Sequence, residues 1–255
     1  DFAPVDEKGF VDVTALENLL RPDTTLVSVM AVNNEIGSIQ SIQAISELLA
    51  DKPTISFHVD AVQALAKIPT EKYLTDRVDF ATFSSHKFHG IRGVGFVYIK
   101  SGKKITPLLT GGGQERDYRS TTENVAGITA TAKALRLAME RLDLFASKTS
   151  QMKEVIRQAL LDYPDIFVFS GEEDFAPHIL TFGIKGVRGE VIVHAFEDYD
   201  IFISTTSACS SKAGKPAGTL IAMGIEKDKA QSAVRLSLDL ENDMSQVEQF
   251  LTKLK

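Results

Sequence analysis

The sequence predicts an α/β protein with a mostly parallel sheet, and two observations carry that prediction. Short runs rich in β-branched and aromatic residues alternate with segments of helical periodicity along the first half of the chain. Such alternation is typical of parallel strands that are joined by helices. The length of 255 residues allows one large α/β domain or two domains of ordinary size.

The elements of the first half follow in a regular order. We expect strands at residues 26–32, 54–59, 78–83 and 95–99. Ser41 is expected to cap a helix whose apolar face holds Ile42, Ile45, Leu48 and Leu49. A longer helix is predicted after a glycine-rich loop at 111–113. Its packing face is expected to consist of Val125, Ile128, Ala132, Leu135, Met139 and Leu142.

The second half is predicted to form a smaller α+β unit. Polar residues at 145–150 indicate a boundary. We therefore expect a large domain over residues 1–145, which includes the long linking helix, and a small C-terminal domain over residues 146–255. Helices are expected at 152–161, at 190–197 and from Ser245, and strands near 178–182 and 201–204.

The composition excludes several classes of protein. The chain has 28 Lys and Arg against 34 Asp and Glu, a net charge of −6, so it lacks the basic surface that nucleic acid or anionic lipid requires. Its apolar runs are too short to cross a bilayer, and its start has no signal-peptide pattern. Cys209 is the only cysteine, which excludes an internal disulfide. We expect a cytoplasmic protein with no nucleic-acid or membrane partner.

The residues that follow the predicted strands are the first candidates for a site, because ligands of parallel sheets bind beyond the carboxyl ends of the strands. The segment FSSHKFHG at 83–90 carries hydroxyl groups, imidazoles and one amine where the chain turns. Lys87, if desolvated among other cations, could form a Schiff base with an aldehyde. It could equally be a solvated loop lysine.

Asp60 lies at the end of another apolar strand, where a buried carboxylate is costly unless it is paired. A protonated pyridine nitrogen would supply the pairing, and that arrangement is the electron sink of pyridoxal phosphate chemistry. Gln63 could donate to the phenolate oxygen of such a ring. Two other interpretations are a structural ion pair or helix cap at Asp60, and a metal site of His58, Asp60, His86 and His89, whose spacings do not favour metal.

Six ordered motifs extend these observations over nearly the whole chain. They are VNNEIG at 32–37, HVDA at 58–61 with Gln63, SSHK at 84–87, GGGQE at 111–115 with RSTTEN at 119–124, SAC at 207–209, and VRLSL at 234–238. Together they resemble the class V aminotransferases, a family of fold-type I pyridoxal phosphate enzymes, and within it the NifS/IscS-like cysteine desulfurases. The resemblance implies the fold-type I architecture, with a large parallel-sheet domain and a smaller α+β domain.

The resemblance also implies roles for the cofactor-binding residues. Lys87 is the Schiff-base lysine, and Asp60 pairs with the pyridine nitrogen. Asn34 and Gln63 position the side of the ring that carries the phenolic oxygen. Two further side chains, Ser84 and His86, are implied as ligands of the phosphate.

Two other residues are implied to act on the substrate and across a dimer. Thr122, near the start of the long helix, matches the residue that contributes to the phosphate site of the other subunit, which implies a homodimer. Arg235, together with Asn34, is implied to receive the substrate carboxylate, for which a guanidinium is suited. A surface ion pair is the alternative for Arg235, and its apolar neighbours Val234 and Leu236 oppose it.

Cys209 lies in a run of small polar residues, 204–211, that predicts a mobile loop with an accessible thiol. A small buried hydrophobe is the alternative for an isolated cysteine. The resemblance implies that L-cysteine is converted to L-alanine, that Cys209 carries the sulfur as a persulfide, and that an acceptor protein receives it. Iron–sulfur cluster assembly and the thio-modification of cofactors or tRNA are the processes implied.

The sequence also departs from the family pattern. Family members carry a stretch before the position of Asp1, with a phosphate-binding loop and a histidine that stacks on the cofactor, and no histidine here precedes His58. Thr121 stands where glycine is usual. We therefore expect a chain that is incomplete at its N-terminus. The sequence does not decide whether this chain binds the cofactor or is active. The alternatives are another class V enzyme, such as a selenocysteine lyase or an aminotransferase, and a cofactor-free binding remnant.

Overall fold

A computed structural model describes residues 1–206 and 218–254 of the protein. The helices in this part are α1 Val13–Leu19, α2 Ile42–Leu48, α3 Val125–Met139, α4 Leu142–Leu161, α5 Gly189–Glu197, α6 Gly218–Ala222, α7 Lys227–Gln231 and α8 Met244–Leu254. The strands are β1 Leu26–Met30, β2 Ser56–Asp60, β3 Phe80–Ser84, β4 Gly95–Ile99, β5 Ile166–Val168, β6 Ile179–Ile184, β7 Ser204–Thr205 and β8 Val234–Ser237. Within these ranges, no helix is both long and apolar enough to span a bilayer.

The first sheet has the order β1-β2-β3-β4 and confirms the mostly parallel prediction. Strands β1, β2 and β3 run parallel, and Met30, Asp60 and Thr82 lie side by side in register. The carboxyl ends of the three strands therefore meet at one edge of the sheet. Strand β4 returns antiparallel to β3, with Gly95 opposite Ser84.

Helix α2 follows the sequence prediction closely. The hydroxyl of Ser41 accepts a hydrogen bond from the backbone N–H of Ala44, which caps the first turn. Ile42, Ile45 and Leu49 are fully buried in the cluster that covers the first sheet. The spacing of apolar residues thus determined which side of α2 packs on the strands.

The second sheet is antiparallel, in the order β5-β6-β8-β7. A separate cluster of buried apolar side chains, which includes Leu160 of α4, Phe182 of β6 and Phe250 of α8, packs on it. The α+β character expected for the second half is therefore present. The polar residues at 145–150 lie inside α4, not in a linker; the division of the chain at residue 145 remains a prediction.

The packing face of α3 differs from the prediction. Val125 and Ile128, expected to pack, are 68% and 45% exposed, while Gly127 and Thr131 are the buried residues of this helix. A Cβ atom on Gly127 would come within 2.8 Å of a methyl group of Val94. The start of the helix thus approaches its neighbours through small residues, and Val125 and Ile128 face away from them. Leu135, further along the helix, packs against the core as predicted. Leu142 belongs to α4.

Candidate functional site

The edge where β1, β2 and β3 end brings together several of the predicted residues. Asp60 is the last residue of β2, and its Oδ1 accepts a hydrogen bond of 3.0 Å from the backbone N–H of Val62. The chain therefore turns directly after the strand. Asp60 and Gln63 remain half-buried beside this turn, whereas Ala61 and Ala64 are buried in the core.

His58 supports the same edge from within the sheet. Its Nδ1 lies 2.7 Å from the hydroxyl of Ser28, and its Nε2 lies 3.1 Å from the hydroxyl of Thr82, so its ring joins three strands. Burial lowers the pKa of His58, and the nearby Asp60 opposes that shift. These contacts give His58 a structural role.

The proposed metal ligands do not assemble. His89 contacts Asp239, with Nε2 3.1 Å from Oδ2, while His58 is held by two hydroxyl groups. Among residues 1–206 and 218–254, no three His, Cys, Asp or Glu side chains form a group that could hold a metal ion. The metal-site interpretation of His58, Asp60, His86 and His89 therefore has no geometric support in this part of the chain.

The segment that carries Lys87 leaves β3 as a short 3-10 turn, Ser85–Phe88. Ser85 is buried, with its Oγ 2.9 Å from the hydroxyl of Thr131 in α3, and Phe88 is buried in the core. A Cβ atom on Gly90 would lie 1.9 Å from the Oγ of Ser85, so only glycine fits where the chain leaves the turn.

The burial of Ser85 and Phe88 determines which other side chains of this segment remain accessible. Because Ser85 and Phe88 face the interior, Ser84 and Lys87 stay half-buried and His86 stays exposed. Ser84 ends β3, next to the strand that carries Asp60. The hydroxyl, imidazole and amine that the sequence singled out thus lie at the same edge of the sheet as Asp60.

Lys67 is a second amine near Lys87. Burial lowers the pKa of Lys67. The negative charge of Asp239 raises this pKa, and the positive charge of Lys87 lowers it further. The Nζ of Lys67 lies 3.6 Å from Asp239 and 4.0 Å from the centre of the Phe145 ring. Lys87 is therefore close enough to a second, buried amine for their charges to repel, as the Schiff-base interpretation requires.

His178, a buried residue directly before β6, is a site residue that the sequence did not predict. Burial above all, and then the positive charges of Lys67, Lys153, Arg235 and Lys87, lowers its pKa to about 3. In the described part of the chain, neither of its ring nitrogens has a hydrogen-bond partner. The charges of Lys87 and Arg235 both act on this imidazole, which shows that the fold brings the two side chains to the same region. The sequence signal was weak: a histidine after Pro177 at the start of an apolar strand.

Arg235 lies in β8, and two of its contacts orient its guanidinium. Its Nη1 donates to the main-chain oxygen of Asn34 at 2.7 Å, and its Nη2 donates to the hydroxyl of Ser204 at 3.2 Å. The neighbours Val234 and Leu236 are buried. The guanidinium of the second sheet thus reaches the loop that follows β1 in the first sheet.

Thr122 and Cys209 are the remaining predicted site residues. Thr122 is exposed and precedes α3, which begins at Val125 with Asn124 as its cap, so Thr122 does not lie in the first turn of the helix. Cys209, with the SAC motif, lies outside the described residues. Of the predicted loop 204–211, Ser204 and Thr205 form β7 instead.

Comparison with known proteins identifies the family. The model of the aminotransferase class V family matches residues 1–250. The chain belongs to the class V aminotransferase family. The resemblance drawn from the six motifs is confirmed, and so is the fold class that it implied.

Within the class V family, the chain is similar to NifS- and IscS-type proteins. It is 52% identical over 249 residues to a NifS/IcsS protein homolog of Lactobacillus delbrueckii subsp. bulgaricus, covering 97% of this chain and 65% of the relative. It is 39% identical to the cysteine desulfurase IscS of Clostridium botulinum, covering 99% of this chain and 64% of that protein. A solved NifS-like protein matches with a TM-score of 0.90 and 37% identity, over 100% of this chain and 66% of that structure.

The donor set at the sheet edge suits the pyridoxal phosphate of class V enzymes. A carboxylate, Asp60, stands where a protonated pyridine nitrogen could pair with it, and the amine of Lys87 could bind the aldehyde. Ser84 and His86 offer a hydroxyl and an imidazole to a phosphate. All four side chains remain half-buried or exposed while their neighbours are packed in the core, so they are accessible to a ligand.

Proposed function

We propose that the protein is a pyridoxal-phosphate-dependent cysteine desulfurase that converts L-cysteine to L-alanine and carries the sulfur on Cys209. The chain spans 65% and 64% of the length of the two relatives named above, and activity is therefore proposed for the protein that contains it. The contact between Arg235 and the main chain of Asn34 carries the proposal. It places the guanidinium of Arg235, a group suited to carboxylates, against the loop that follows β1, at the edge of the sheet where β2 ends with Asp60.

The cofactor-binding residues are proposed as follows. Asp60 holds the proton on the pyridine nitrogen, and Asn34 and Gln63 face the phenolic oxygen. Ser84 and His86 bind the phosphate, and Lys87 binds the aldehyde carbon. When it is bound, the cofactor supplies an electron sink that stabilises negative charge at the Cα atom of an amino acid.

The substrate is oriented by its carboxylate and then loses its α-proton. Arg235 binds the carboxylate through its planar guanidinium, which the contacts with Asn34 and Ser204 hold in place. The Nζ of Lys87 accepts the proton from Cα and later returns a proton to the product.

Cys209 is the sulfur acceptor within the protein. Its thiolate attacks the sulfur of the substrate, the bond between Cβ and sulfur breaks, and Cβ gains a proton. The products are L-alanine and a persulfide on Cys209, so each atom of the substrate is accounted for. A thiol with an ordinary pKa of about 8.5 is mostly protonated at neutral pH, and a proton acceptor near Cys209 is therefore part of the proposal.

The proposal includes the partners that the family resemblance implies. A homodimer would place Thr122 of one subunit at the phosphate site of the other, and the exposure of Thr122 is compatible with this. A sulfur-acceptor protein would receive the persulfide, for iron–sulfur cluster assembly or thio-modification. We propose the cytoplasm as the location.

The experiment compares the protein, as it is expressed from its own gene, with a Cys209→Ser variant after incubation with L-cysteine. Wild type should form alanine and gain the mass of one sulfur atom. The variant should keep the visible absorbance of the bound cofactor but form almost no alanine, because a hydroxyl cannot accept the sulfur.

Two results would contradict the proposal. Alanine formation by the variant at the wild-type rate would make Cys209 a bystander and favour a selenocysteine lyase or an aminotransferase. A wild-type protein without bound cofactor after incubation with pyridoxal phosphate would favour a cofactor-free binding remnant.

A further inference from the structure

The turn that carries Lys87 contacts helix α3 through two buried hydroxyl groups. Ser85, the first residue of this turn, is fully buried, and Thr131 of α3 is 6% exposed. Their side-chain oxygens lie 2.9 Å apart. The hydroxyl of Thr131 donates its one hydrogen to the main-chain oxygen of Gly127 at 2.8 Å, so the contact between the two side chains uses the hydrogen of Ser85. In residues 1–206 and 218–254, the Ser85 hydroxyl has no other hydrogen-bond partner.

The surroundings of Ser85 leave its hydroxyl no second partner. The backbone N–H of Ser85 donates to the main-chain oxygen of Val94 at 3.0 Å, and its main-chain oxygen accepts from the N–H of Gly90 at 2.9 Å. A Cβ atom at position 90 would overlap the Oγ of Ser85, so the side chain is also enclosed on that side. Because Ser85 is fully buried, rotation of its side chain does not bring the hydroxyl to solvent. A new partner therefore requires a shift of the turn.

The residues around Ser85 are the ones proposed to bind the cofactor. Ser84 and His86, the proposed phosphate ligands, are its neighbours in the chain, and Lys87 follows two positions after it. A shift of Ser85 would consequently move a hydroxyl, an imidazole and an amine together.

The packing of Phe88 does not replace the contact with Thr131. A 3-10 turn has three residues per turn, so Ser85 and Phe88 face the interior together. Apolar packing of Phe88 is non-directional, whereas a hydrogen bond has a preferred length and angle. The buried ring therefore limits the depth of the turn, and the hydroxyl contact determines its rotation.

We propose that Thr131 is a positioning residue that holds Ser85, and through it the amine of Lys87, in the orientation in which Lys87 meets the cofactor aldehyde. The inference rests on the proposed function, which assigns Lys87 to the cofactor. Without the hydroxyl of Thr131, the buried donor of Ser85 is unpaired, which is unfavourable unless the turn shifts. A displacement of about 1 Å at a reacting group can lower a rate by as much as about 100-fold.

Four variants of the protein, as expressed from its own gene, separate this hydrogen bond from the packing of α3. Thr131→Val removes the hydroxyl and keeps the size of the side chain, while Thr131→Ser keeps the hydroxyl. Ser85→Ala removes the donor from the turn. Thr129→Val, the same substitution at an exposed position of the same helix, is the matched control.

The first measurement needs no turnover of cysteine. Pyridoxal phosphate is added to cofactor-free protein, and the visible band that forms when the lysine amine condenses with the aldehyde and releases water is followed in time. We expect Thr131→Val and Ser85→Ala to lower this rate on the order of tenfold, the factor that corresponds to one lost hydrogen bond. Thr131→Ser and Thr129→Val should stay within about twofold of wild type.

The second measurement is steady-state alanine formation per cofactor-loaded subunit. In Thr131→Val, kcat should fall by a similar factor, while KM for L-cysteine stays within about twofold, because Arg235 is unchanged. The double variant of Thr131→Val and Ser85→Ala should be no slower than either single variant, since both remove the same hydrogen bond. Urea unfolding of the same samples reports any loss of stability separately.

Several outcomes would overturn the role of Thr131. Band formation at the wild-type rate in Thr131→Val and Ser85→Ala would refute it, even if both variants were less stable. Effects that multiply in the double variant would show that the two residues do not act through one hydrogen bond. If Thr131→Val does not fold, Ser85→Ala decides the question by the same measurement.

Failure of this inference is distinguishable from failure of the proposed function. If wild type binds the cofactor at Lys87 but forms no alanine from cysteine, the proposed function fails, and the rate of cofactor binding still decides the role of Thr131. A wild-type protein that binds no cofactor at Lys87 would refute both.

Discussion

The Nη1 atom of Arg235 lies 2.7 Å from the main-chain oxygen of Asn34, although 201 positions separate the two residues in sequence. The contact joins β8 of the second sheet to the loop that follows β1 of the first sheet. A guanidinium held in this way has a defined plane, which suits it to a carboxylate.

Arg235→Lys should raise KM for L-cysteine by about tenfold or more, because an ammonium group cannot make the two parallel hydrogen bonds of a guanidinium. Steady-state alanine formation at varied cysteine concentration measures the effect. Arg136→Lys, on the exposed side of α3, is the control and should leave KM unchanged. An unchanged KM in Arg235→Lys would remove this residue from the substrate site.

Lys87 should be the lysine that binds the cofactor covalently. Reduction with borohydride followed by digestion and mass spectrometry should find the pyridoxyl group on the peptide that contains Lys87. Lys67 and Lys153 are the critical comparisons, because burial lowers the pKa of both amines and so makes them chemically competent. A pyridoxyl group on either of them would show that the assignment to Lys87 is wrong.

Asp60→Asn should keep the cofactor bound but slow the loss of the α-proton on the order of 100-fold, because a neutral amide cannot hold the pyridine nitrogen protonated. The rate of exchange of the substrate α-hydrogen with deuterium from the solvent measures this step. The same substitution at the exposed Asp76 is the control. Exchange at the wild-type rate in Asp60→Asn would exclude Asp60 from the cofactor site.

His178 should make the folded protein sensitive to acid. Its pKa is about 3 in the folded state and about 6.5 in an unfolded chain, so the unfolded state binds more protons between these values. Its contribution to the free energy of unfolding is therefore complete above pH 6.5 and is lost as the pH falls. Between pH 6.5 and pH 5 the loss amounts to about 2 kcal/mol.

Urea unfolding of wild type and a His178→Leu variant at pH 7.5 and pH 5 tests this. The variant should lose less stability than wild type at pH 5, because it has no buried imidazole to protonate. His194→Leu, at an exposed position of α5, should behave like wild type. Equal losses in wild type and His178→Leu would refute the role of His178.

Local patterns were sufficient for those parts of the protein whose conformation depends on near neighbours. The runs of β-branched residues located every strand end of the first sheet within two residues, because a buried strand selects such side chains along its whole length. Ser41 and the apolar residues after it located α2, since a cap and its helix are adjacent in sequence. The residues after the strands, Asp60 and Lys87 among them, were found because parallel strands end at a common edge.

The family, the order of the elements and the residue types at the sheet edge follow from the amino-acid sequence. The tertiary structure determines which side of α3 packs at its start, because the close approach at Gly127 outweighs the apolar spacing of Val125 and Ile128. It also decided that Arg235 meets Asn34, that His178 is buried among cations, and that Glu35 holds Thr219. Each of these joins segments that are distant along the chain, and local propensity carries no information about such contacts, which depend on how the two sheets pack together.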